Sequence, residues 1–78
     1  MDDMATTHTI ERFDIVELLE PIDAAPAGAR GGVLEFLGPD GDIAEIEIME
    51  PSFDEILDRI VYAPLSKVRV VKRASEHS

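Results

Sequence analysis

The chain has 78 residues, a net charge of −10 and no cysteine, which bounds it to one small domain held by a single apolar core or by a partner. A disulfide framework, a thiolate metal site and a thiol nucleophile are excluded. The acidic balance argues against direct binding to DNA or RNA, because phosphates are repelled within a Debye length, about 8 Å at physiological salt.

The charge is unevenly placed. Residues 1–58 hold 16 of the 17 acidic residues with only Arg12 and Arg30 among the basic ones, for −14, whereas residues 59–78 hold five bases and Glu76, for +4. The opening Met1-Asp2-Asp3-Met4-Ala5-Thr6-Thr7-His8 has neither the basic nor the apolar stretch of a secretory leader. No apolar run reaches the roughly 20 residues that cross a bilayer. A cytoplasmic location and no membrane association are expected.

In chain order, residues 1–10 and 74–78 are poor in apolar side chains and read as flexible tails around one domain, 11–73. Phe13-Asp14-Ile15-Val16-Glu17-Leu18-Leu19 is dense in β-branched and large apolar residues and predicts a first strand, with Phe13 in the core. Glu20 to Gly28 carries Pro21, Pro26 and Gly28 and predicts a loop. The segment Gly31-Gly32-Val33-Leu34-Glu35-Phe36-Leu37 predicts a second strand, with Leu34 and Phe36 inward and Glu35 outward, or with its register shifted by a bulge at the glycines.

Gly38-Pro39-Asp40-Gly41 is a turn signal. Ile43-Ala44-Glu45-Ile46-Glu47-Ile48-Met49 then alternates, placing Glu45 and Glu47 on one face and Ala44, Ile46 and Ile48 on the other. Residues 31–49 are therefore expected to form a hairpin. Ser52-Phe53-Asp54-Glu55 has the form of a helix capping box and predicts one short helical turn near residues 52–58. Arg59-Ile60-Val61-Tyr62-Ala63 predicts a fourth strand, Pro64-Leu65-Ser66-Lys67 a 3₁₀ turn, and Val68-Arg69-Val70-Val71 a closing strand. The fold class expected is all-β.

The order apolar strand, proline-containing loop, Ala27-Gly28-Ala29-Arg30-Gly31-Gly32-Val33, acidic hairpin, fourth strand, Pro64-Leu65 turn and Val68-Arg69-Val70 resembles the small bacterial SH3-like barrels of a domain-of-unknown-function family. The resemblance covers residues 13–71, with Gly32 where that family more often has threonine. It implies a bent five-stranded barrel. It implies no catalytic residues, and folds of this kind host unrelated functions.

Catalytic chemistry finds little support in the residues. His8 and His77 lie in the tails, as do all serines and threonines except Ser52 and Ser66, so neither general acid/base work nor a Ser-His-Asp arrangement has positioned groups. Asp40-Gly41-Asp42 lacks the ligand spacing of a calcium loop and reads as a turn. Tyr62 reads as a packing residue whose hydroxyl suits an interface rim. Arg30 either pairs with a neighbouring carboxylate such as Glu35 or projects as a contact residue.

The expected function is a non-enzymatic interaction module, without cofactor or metal, acting as an adaptor, inhibitor or immunity-type partner. It would present Arg30, Glu35, Glu45 and Glu47 to a basic protein, with steering by complementary charge. The alternatives are an acidic nucleic-acid mimic that blocks a nuclease or DNA-binding protein, and an accessory subunit of a larger enzyme. A homodimer through an unpaired barrel edge is a further arrangement.

Overall fold

The computed structural model describes residues 10–52 and 59–74. Five strands, β1 (Ile15–Leu18), β2 (Arg30–Leu37), β3 (Ile43–Glu50), β4 (Ile60–Pro64) and β5 (Val68–Lys72), form one antiparallel sheet in the order β4-β3-β2-β1-β5. A 3₁₀ turn, Leu65–Lys67, links β4 to β5. The all-β class and the 31–49 hairpin follow the sequence pattern. The helical turn expected near residues 52–58 falls almost wholly outside the described residues. No helix among them is long and apolar enough to cross a membrane.

Alternation decides which face is buried. Val16 and Leu18 of β1, Val33 of β2, Ala44, Ile46 and Ile48 of β3, and Val61 and Ala63 of β4 turn to one side and lose nearly all contact with water. Burial of these aliphatic chains is the main stabilising term, at about 25 cal/mol per Å² of apolar surface. Ile10, Ile22, Phe36, Leu65 and Val70 pack around this cluster. The loop between β1 and β2 contributes Ala25 and Ala29, and its Pro26–Ala29 turn places Gly28 at φ 89°, a conformation that a Cβ disfavours. The 3₁₀ turn begins with the Leu65 N–H donating to the Asp42 carbonyl at 3.0 Å, which ties it to the β2–β3 connection.

Two register shifts shape β2. Between Val33 and Glu35 the pairing with β3 skips Leu34. Val33, not Leu34, therefore points into the core, and beyond the extra residue Phe36 faces inward opposite Ala44. The second shift, beside Gly31, leaves Met49 of β3 unpaired. Gly31 lies so close to β3 that an added Cβ would overlap the Glu47 carbonyl and sit 2.8 Å from Ile46 Cγ2.

The first strand differs from its prediction at the start. Phe13 precedes β1, is 57% exposed, and lies outside the core, while Asp14 is completely buried. The reason is local. Residues Glu11 to Asp14 form a tight turn closed by the Asp14 N–H donating to the Glu11 carbonyl at 3.1 Å, which turns the Phe13 ring away from the sheet. Ile10 and Ala74, placed in the tails by composition, carry contacts with the domain: Ile10 packs on the core and the Ala74 N–H donates to Asp14 Oδ1.

Candidate interaction surface

The outer face of the sheet collects the side chains that alternation turns away from the core. On β3 these are Glu45 and Glu47, between the buried Ala44, Ile46 and Ile48. The shift at Leu34 brings Glu35 onto the same face, directly opposite Glu45 in the pairing of β2 and β3. Residues opposite one another in an antiparallel pair have Cβ atoms about 5 Å apart. On the other side of Glu45 stands Tyr62 of β4, half-exposed on the same face.

The three carboxylates have unequal surroundings. Glu47 Oε2 lies 3.8 Å from Arg59 Nε, close enough for attraction but too far for a hydrogen bond. Among the described residues, neither Glu35 nor Glu45 has a basic partner. Like charges directly opposite on a sheet are destabilising, so the fold itself gains nothing from this pair.

Arg30 does not join them. It stands at the opposite end of β2, about 16 Å along the strand from Glu35 at the usual rise per residue. Its partner is Glu17 of β1, not Glu35: Arg30 Nε is 3.8 Å from Glu17 Oε2. Glu17 also receives Arg69 of β5, at 2.8 Å from Nε and 2.6 Å from Nη2. The cause is register, since Arg30 and Arg69 flank Glu17 in the two strands beside β1. The result is a three-strand Arg-Glu-Arg ladder, so Arg30 acts in the fold as a cross-strand ion-pair partner. Lys67 and Glu20 add an exposed pair at 3.1 Å.

The buried Asp14 escapes a sequence reading, because aspartate is ordinarily a surface residue and nothing local marks it. Its Oδ2 accepts the Glu11 N–H at 2.9 Å and faces Arg73 Nη1 at 3.4 Å, and its Oδ1 accepts the Ala74 N–H at 2.7 Å. These bonds make it a structural clamp between both ends of the domain. Among the described residues, no group of three or more His, Cys, Asp or Glu side chains is placed to hold a metal ion. Comparison with known proteins finds no matching family model, no matching curated protein and no matching solved structure.

Proposed function

We propose that the chain is a non-enzymatic protein-interaction module that presents Glu35, Glu45 and Glu47, with Tyr62 at their side, to a basic protein partner. The observation that carries this reading is the Glu35–Glu45 pair on the outer face, without a basic partner among the described residues, beside an exposed tyrosine. A like-charge pair that weakens the sheet is accounted for by a cationic surface that neutralises it in a complex. Tyrosine beside it supplies apolar area and a polar tip, the combination favoured at interfaces. Arg30 is a peripheral contact at the far end of β2. Strand order and the 3₁₀ turn before β5 support reading the domain as a small SH3-like barrel, and the lack of cysteine fits a reducing cytoplasm.

The test is capture of partners from the native host after nuclease treatment, at low and high salt, followed by binding of the purified partner. Glu45→Lys with Glu47→Lys is expected to weaken that complex about tenfold or more and to flatten its salt dependence. Unchanged binding by the double variant removes the acidic face from the interface. Glu45→Lys alone separates loss of contact from unfolding, because its lysine would stand opposite Glu35, a pairing expected to add about 0.2–1 kcal/mol to stability, whereas Glu47→Lys sets a second cation beside Arg59, so the Tm of the double variant is measured with its binding. Competition by double-stranded DNA identifies a nucleic-acid mimic, and co-purification at fixed stoichiometry an accessory subunit.

A further inference from the structure

Phe13 breaks two rules of its neighbourhood at once. It occupies the third position of the Glu11–Asp14 turn with φ 75°. With a positive φ there, the turn has the character of type II, which normally takes glycine or asparagine at that position. The comparable turn at Pro26–Ala29 uses Gly28. A large apolar side chain in this conformation is strained, and with 57% of the residue exposed, core burial does not account for it.

The corner is nevertheless held firmly. The Phe13 N–H donates to the Val33 carbonyl at 2.7 Å, and the next residue is the buried Asp14 clamp. Arg12 Nε donates to the Leu34 carbonyl at 2.9 Å, which sets its guanidinium 5.2 Å from the centre of the Phe13 ring. An exposed ring on a fixed, strained turn, backed by an arginine, is a side chain positioned in advance for contact. Residues that violate local rules without a structural return mark functional positions.

We propose that Phe13, with Arg12 behind it, is an anchor for a protein partner that offers an apolar pocket rimmed by carboxylates. Aromatic residues and arginine are the side chains that most often dominate interface energetics. Charge selects the rim: Arg12 backs the ring and Lys72 stands opposite Ile15 in the β1–β5 pairing, which together outnumber the single Glu11 carboxylate of the same turn, while the charge of Arg73 is matched by Asp14. The anchor does not rest on the acidic-face reading, since a different turn carries it.

The test places the photoreactive p-benzoylphenylalanine at position 13 of the full chain in its host. Irradiation is expected to give one discrete adduct, whose partner is then purified. Phe13→Asn is expected to weaken its binding at least about tenfold and Arg12→Glu to weaken it as well. Asparagine tolerates the left-handed conformation, so Phe13→Asn is expected to lower Tm by no more than about 4 °C. No discrete adduct, an adduct partner that binds Phe13→Asn as tightly as the native chain, or a larger fall in Tm overturns the proposal. Glu45→Lys in the same assay reports on the acidic face alone, so the two readings fail separately.

Discussion

The Asp14 carboxylate accepts the Ala74 backbone N–H at 2.7 Å across sixty positions of sequence. With the Glu11 N–H and Arg73 on its other oxygen, it joins the turn before β1 to the chain leaving β5. β1 and β5 pair directly, so this carboxylate sits where the two ends of the fold meet.

Asp14→Ala leaves part-buried donors without an acceptor and empties a buried position, and is expected to cost about 2–3 kcal/mol. Asp14→Asn keeps one acceptor oxygen and is expected to lose roughly half as much. Urea unfolding measures both. Hydrogen exchange at the Ala74 amide should accelerate in Asp14→Ala even where the core amides remain protected.

The adjacent glycines of β2 are expected to respond in opposite ways. At Gly31 an added methyl meets the Glu47 backbone and Ile46 Cγ2, both parts of a central strand that has little freedom to move. Gly31→Ala is therefore expected to cost about 2–4 kcal/mol. At Gly32 the same methyl meets only Ile15 Cδ1 at 3.8 Å, an ordinary contact. Gly32→Ala should be neutral or stabilising by up to about 1 kcal/mol through lost freedom of the unfolded chain. Thermal unfolding of the two variants side by side checks the contrast.

Glu17 and Glu47 both carry ion pairs, but in different settings. The Glu17 side chain is 19% exposed and takes two hydrogen-bonding nitrogens of Arg69 besides Arg30, whereas that of Glu47 is 46% exposed and stands 3.8 Å from one nitrogen of Arg59. Glu17→Gln is expected to cost about 1–2 kcal/mol and Glu47→Gln less than about 0.5 kcal/mol. Denaturant midpoints at low salt and near 1 M salt test this, since the Glu17 effect should shrink as the charges are screened.

The parts of this fold legible in advance are those written in local pattern. Ile43 to Met49 alternates without a break, and Ala44, Ile46 and Ile48 are buried as that alternation requires. Pro64-Leu65-Ser66-Lys67 interrupts two β-rich runs and becomes the 3₁₀ turn. Glu35 and Glu45 each read as outward-facing, yet their direct opposition depends on the extra residue Leu34, whose place is set by pairing with β3. For Arg30 the local pattern suggests a partner nearby in sequence, whereas the register of β1 supplies Glu17.

By itself the sequence determined the all-β class, the hairpin, the turn before the closing strand and the separation of acidic from basic segments, because periodicity, turn chemistry and charge are properties of neighbouring residues. Tertiary structure decided that Phe13 faces water and Asp14 is buried, that Gly31 has no room for a side chain, and that Arg30 and Arg69 share Glu17. Each of these depends on what a distant segment brings into contact, and the balance between burial, hydrogen bonding and steric overlap at such a contact is absent from any local stretch of the chain.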